Sequence, residues 1–195
     1  SRIATHAVLI AASLVIPLPL LWVLRTSLVS RRVAYLIPPD WGALPTLQNY
    51  EYILVYQPFF HYFINSLLIG LGATAVAIAL GIPAAYTITR WRTGGGATKT
   101  LMLATQMLPP VALAVPVFIL VRMVGLYDSQ VVLLTVYLSF SIPFVIWILA
   151  GFFSGLPIET EEAALVDGAT RSQALRLVVV PMAAPGIVAA GIFSF

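Results

Sequence analysis

Ionisable side chains are scarce in this sequence, and they are unevenly placed. Of 195 residues, seven are Asp or Glu. Four of those seven, Glu159, Glu161, Glu162 and Asp167, fall within nine positions. Arg171 and Arg176 follow at once, in the stretch EEAALVDGATRSQALRLVVVP from 161 to 181. The other chemically suggestive positions offer little. GGGATKT (94–100) has the look of a phosphate-binding loop, but such a loop needs glycine directly before its lysine and a strand before the loop. Here Thr98 precedes Lys99 and apolar runs flank both sides, so a short flexible turn is expected. His6 and His61 are the only histidines, and neither has a second ligand at metal spacing. Ser154 and Ser172 have no histidine nearby in sequence. No cysteine is present, which rules out disulfides and thiolate metal sites. No catalytic residue, metal site or cofactor is therefore expected in this chain.

The elements that must carry the acidic stretch are apolar. The chain is 61% hydrophobic and 9% charged, with a mean hydropathy of +1.01. Charge-free runs cover Ile3–Leu24, Tyr52–Thr89, Thr100–Val121, Ser129–Ile158 and Leu177–Phe195. A helix needs about 20 such residues to cross the hydrocarbon of a bilayer, and each run supplies one crossing. The expected fold is all-α: a polytopic transmembrane helical bundle with five spans of a probable six, the last one running past Phe195. The spans are placed at Ala7–Leu28, His61–Thr89, Thr100–Met123, Gln130–Phe153 and onward from Pro181. Six arginines and lysines fall on the N-terminal side of the membrane and four on the other, a bias that puts the acidic stretch in the cytoplasm.

Some features of these spans concern packing. Ala73, Ala77, Gly81 and Ala85 recur every four residues, a slim face for close helix contact. Pro109, Pro110, Pro116 and Pro143 lie inside spans, where the carbonyls they free must be satisfied by neighbours or by a water-filled path.

Four acids cannot lie in hydrocarbon, where each costs about 2.5–3.5 kcal/mol at mid-bilayer. The stretch must therefore form an elbow outside it, taken as residues 159–176 within one transmembrane domain spanning 1–195. Glu159, Glu161 and Glu162 suit a helix N-terminus, with Thr160 as its N-cap. Gly168 suits a left-handed stop. Thr170-Arg171-Ser172-Gln173 fits a capping box opening a second helix. Pro181 marks the junction with the next span. Acids so close to anionic headgroups argue against a helix lying on lipid, so a slim acidic helix for a groove on a partner is expected.

The elbow resembles the Glu-Ala-Ala loop of permease subunits of ATP-binding cassette importers. That pattern is Glu-Ala-Ala, three residues, Gly, nine residues, Ile-x-Leu-Pro. This chain has Glu162-Ala163-Ala164, Gly168, then Val178-Val179-Val180-Pro181, with valine for isoleucine and leucine. LQNYEYIL (47–54), Asn65-Ser66, Tyr86 with Arg90, and IPFVIWILAGFFSGLP (142–157) are similar to the maltose-type carbohydrate permeases. The resemblance implies a multi-pass protein of a prokaryotic inner membrane, forming half of a path for a sugar or related solute. It implies two cytoplasmic ATP-binding subunits, which bind the ATP, a second and non-identical permease, an extracytoplasmic solute-binding protein, and no nucleic acid. Docking to the ATPase is implied for Glu161, Glu162, Ala163, Ala164, Asp167, Gly168 and Arg171, with Glu162 as electrostatic anchor and Gly168 and Pro181 as hinges. The substrate path is not assigned to residues. A secondary transporter or channel without an ATPase would need intramembrane acids for ion coupling, and the predicted spans contain none. A membrane enzyme would need a catalytic constellation that the sequence does not display.

Overall fold

The computed structural model describes residues 2–91, 93–107 and 109–195. They form helices and connecting turns, without strands among the described residues. In order these are α1 (Arg2–Val15), α2 (Leu18–Ser27), α3 (Arg31–Ala34), α4 (Gln48–Tyr56), α5 (Phe59–Arg90), α6 (Gly95–Met107), α7 (Pro110–Met123), α8 (Gln130–Ser154), α9 (Ile158–Val166), α10 (Arg171–Ala174), a π-helical turn (Leu175–Val179), α11 (Val180–Met182) and α12 (Ala184–Ser194). The chain divides into two compact units, one up to Ile64 and one from Asn65.

Three helices are long and apolar enough to cross a membrane singly: Ala4–Ser27, Phe59–Arg90 and Gln130–Ser154. Two more crossings exist if each bent pair counts as one span. The expected third span is such a pair: α6 and α7 meet at 86°. The break falls where Pro109 and Pro110 remove two backbone donors in succession. The glycine stretch expected to be a loose turn is mostly helical. Gly94 and Gly95 adopt φ of +75° and +62°, and α6 then starts at Gly95. The turn is thus confined to the few residues before Gly95, and the rest of GGGATKT opens a helix.

In the first unit, the carbonyls left over at the end of α2 are met from a distance. Asn49 Nδ2 donates to the carbonyls of Ser27 (3.0 Å) and Val29 (2.7 Å), and the Thr46 amide donates to that of Leu28. Orphan carbonyls at a helix C-terminus need such partners. The LQNYEYIL segment is therefore an internal clamp of this unit. Arg25 lies over the rings of Trp22 (5.3 Å) and Trp41 (4.8 Å), a cation–π arrangement.

The second unit packs α5, α8 and α12 around a core that includes Ala77, Ala85, Tyr86, Val145, Leu149, Phe153, Val179 and Ala190. The slim face read from the sequence is the buried face of α5: Ala73, Ala77, Gly81 and Ala85 are all buried. At Gly81 the approach is closest, since a Cβ there would stand 2.7 Å from Val145 Cγ1. The Gln106 side chain of α6 donates to the Phe140 carbonyl of α8 at 3.2 Å, while the carbonyl that Pro143 itself frees is that of Ser139, four residues back. Gly81→Ala is expected to lower the melting temperature of the detergent-solubilised protein, because Val145 is fully buried and cannot yield cheaply. Gly151→Ala meets nothing within 4 Å and is expected to leave the melting temperature unchanged or raise it. Equal responses of the two variants would refute the assigned α5–α8 contact.

Candidate functional site

The acidic stretch folds as two short helical limbs joined by a tight turn, and local sequence explains both. Helix α9 starts at Ile158, with Pro157 and not Thr160 at its N-cap. Thr160 is the third residue of the helix. Pro157, in an extended conformation, has no N–H to leave unsatisfied and already sets the entry. The helix stops as expected. Gly168 adopts φ +91°, its amide donates to the Leu165 carbonyl (3.1 Å), and the Ala169 amide donates to that of Ala164 (3.0 Å). This pair of bonds is the Schellman arrangement. The second limb opens with the expected capping box. The Gln173 amide donates to Thr170 Oγ1 (3.3 Å), and the Thr170 amide donates to Gln173 Oε1 (2.7 Å).

Beyond α10 the backbone widens into the π-helical turn Leu175–Val179. The helix carries on through Pro181 and breaks at Ala183, where Arg171–Met182 meets Ala184–Ser194 at 76°. The bend expected at Pro181 therefore lies two residues later. Pro185, in the first turn of α12, has no N–H to offer the Pro181 carbonyl, so the helix cannot continue straight.

The acids separate into two sets. Glu162 and Asp167 are exposed, as are Glu159, Ala163 and Gly168, while Ala164 is half-buried. Glu159, Glu162, Ala163 and Val166 are spaced i, i+3, i+4, i+7 and so form one exposed stripe of α9. Glu162 has no ion-pair partner among the described residues. Glu161 is different. Its side chain is 2% exposed and directed inward, so it is not part of the surface on which the sequence had grouped it with Glu162. Its Oε2 accepts from Arg90 Nε at 2.8 Å. Its Oε1 accepts from the Tyr86 hydroxyl and, at 3.4 Å, from Arg171 Nη1. Arg90 also donates to the Leu156 carbonyl at 3.5 Å. Tyr86 and Arg90 are one turn apart on the end of α5, and Arg171 opens α10. One carboxylate thus joins α9, α10 and the end of α5.

Burying that charge would be costly alone, but here it is paired and both its oxygens accept hydrogen bonds. Arg171 is 56% exposed and forms the longer contact, so it is the weaker partner. The sequence contained one usable signal for this cluster: a tyrosine and an arginine at i, i+4 at the end of a span, without an acid nearby in sequence.

The model of the family described as "Binding-protein-dependent transport system inner membrane component" matches residues 77–195, which include α8, the whole elbow and the end of α5. The chain belongs to this family. It is a multi-pass inner membrane protein. Among curated proteins it is 41% identical to a putative ABC transporter permease protein of Streptomyces antibioticus, over 77% of this chain and 66% of that protein. It is 38% identical to the trehalose transport system permease protein SugB of Mycobacterium tuberculosis, over 91% of this chain and 65% of that protein. It is 36% identical to the sulfoquinovosyl glycerol transport system permease protein SmoH of Agrobacterium fabrum, over 91% of this chain and 63% of that protein. The chain spans about two thirds of the length of these relatives.

Proposed function

We propose that this chain is a permease subunit of an ATP-binding cassette importer, forming half of the path for a sugar or related solute. Family membership supports the importer, since the family description names binding-protein-dependent transport. The relatives named for trehalose and sulfoquinovosyl glycerol transport support the solute class. On this reading two cytoplasmic subunits bind and hydrolyse ATP, a second and non-identical permease completes the path, and an extracytoplasmic binding protein delivers the solute.

The observation that carries the coupling role is the division of the acids in α9. Glu161 holds the helix to its own chain, and Glu162 is left exposed beside small Ala163 on the outer stripe. A slim acidic helix fixed from behind can enter a groove on an ATPase subunit and transmit its motion. Glu162 is the electrostatic anchor of that docking, Ala163 and Ala164 permit close approach, and Asp167, Gly168 and Arg171 shape the turn beside it.

Glu162→Lys is expected to reduce recovery of the ATPase subunit with the affinity-purified permease by at least tenfold, with a larger loss at low salt. The complex is purified with its partner subunits co-expressed. Its ATP hydrolysis is measured with the binding protein and a panel of disaccharides and glycosyl glycerols, one of which should stimulate it. Undiminished recovery of the ATPase by Glu162→Lys would remove α9 as the docking helix. Absence of any ATPase partner would remove the importer.

A further inference from the structure

The docking surface explains how force could enter the elbow, but not which span receives it. The geometry points to α5: we infer that the buried cluster Glu161–Arg90–Tyr86 is the joint through which the elbow drives that helix, with Glu161 as a positioning residue for transport. The inference rests on the importer reading above and deepens it.

Four observations carry it. First, Glu161 sits in the middle of α9, one residue from Glu162, on the side opposite the exposed stripe. A push on the stripe is thus delivered directly to the Glu161 carboxylate. Second, its strongest partners lie on a span and not on the elbow. Arg90 Nε is 2.8 Å from Oε2, the Tyr86 hydroxyl bonds Oε1, and both side chains are at least nine-tenths buried. Third, the receiving element can carry the motion. α5 runs through Pro83 without a break in the helix over 32 residues, about 48 Å at 1.5 Å per residue, longer than the hydrocarbon is thick. Fourth, the same helix end is tied to the C-terminal part of α8 and to the link that follows it: Thr89 Oγ1 donates to the Ala150 carbonyl in α8, and Arg90 donates to that of Leu156 between α8 and α9, each at 3.5 Å. The elbow, α5 and the end of α8 then move as one body.

A charged pair suits this role better than apolar contact. Apolar surfaces slide, whereas hydrogen bonds from two positions on one helix face to both oxygens of one carboxylate fix direction as well as distance. Arg171, exposed and at 3.4 Å, steadies the second limb and contributes little to the joint.

The test uses the whole complex, reconstituted in proteoliposomes with its binding protein and its stimulating sugar. Sugar uptake and ATP hydrolysis are measured together, so that the readout is solute moved per ATP. Glu161→Gln, Arg90→Met and Tyr86→Phe should still assemble with the ATPase subunit, continue to hydrolyse ATP, and move at least five-fold less solute per ATP. An unchanged ratio in Glu161→Gln or Arg90→Met overturns the inference. If those two fail to assemble, Tyr86→Phe decides, because it deletes one hydroxyl and preserves the ring: a wild-type ratio there overturns the joint equally. A wild-type complex without sugar-stimulated hydrolysis would instead count against the importer reading, and the two failures remain separate.

Discussion

Arg90→Ala is expected to lower the stability of the detergent-solubilised chain by about 3–5 kcal/mol, because it removes the main partner of a buried carboxylate. Arg171→Ala, which removes an exposed partner of the same carboxylate, is expected to cost about 1 kcal/mol or less. The two arginines carry the same charge and touch the same residue, so the difference isolates burial and geometry. Arg90 is 9% exposed with Nε 2.8 Å from Oε2, whereas Arg171 is 56% exposed at 3.4 Å. The loss at Arg90 is mainly the cost of stranding Glu161, not the worth of the pair. The double variant Arg90→Met with Glu161→Leu should therefore be much more stable than Arg90→Ala, since apolar residues of similar volume replace a buried pair at little net cost. Thermal unfolding of the four proteins in one detergent measures all of this. Equal destabilisation by Arg90→Ala and Arg171→Ala would show that the carboxylate is wetted and that the cluster is ordinary surface.

Which parts of this architecture could be read in the sequence follows from the range of the interactions that make them. The end of α9 and the start of α10 depend on neighbours in the chain. Gly168 needs left-handed space, and Thr170 and Gln173 cap each other across three residues, so both features were legible. The apolar runs gave the long helices α5 and α8 nearly to the residue, because burial in hydrocarbon demands length and leaves no ambiguity of period. The slim face of α5 was legible as packing, though not its target, since nothing in the four-residue repeat names Val145. The misreadings arose where two local rules competed. Thr160 is a good cap residue, but Pro157 had already started the helix. Pro181 is a familiar boundary, yet the π-helical turn before it absorbs the proline and Pro185 sets the bend.

The cluster at Glu161 was illegible for a different reason. Seventy-one positions separate it from Arg90, and no local periodicity links the two. By local helix rules Glu161 and Glu162 are alike, both acids at the head of a helix, and only the Glu-Ala-Ala resemblance singles out Glu162. A rotation of about 100° per residue places one in the interior and the other on the outer stripe. That single step separates a residue that holds the elbow from one that can meet a partner.

The joint is only as stiff as the turn behind it, and this makes Gly168→Pro the most damaging single change expected in the elbow. Nothing lies within 4 Å of a Cβ at this position, so crowding is not the issue and backbone conformation decides. Gly168 holds φ at +91°, and proline is fixed near −65°. Proline also lacks the N–H that reaches the Leu165 carbonyl at 3.1 Å. Both bonds of the turn would be lost, and with them the angle between α9 and α10. A cost of about 3 kcal/mol or more follows from the forbidden backbone and the missing donor together. Gly168→Val keeps the donor but is strained by about 1–2 kcal/mol, and Gly168→Asn, which tolerates left-handed geometry, should be nearly neutral. The order Asn, Val, Pro should appear in melting temperature in detergent and, if the elbow couples transport, in solute moved per ATP. Because the open space accepts any side chain, a ranking by size in place of φ tolerance would show that the turn is not held as described.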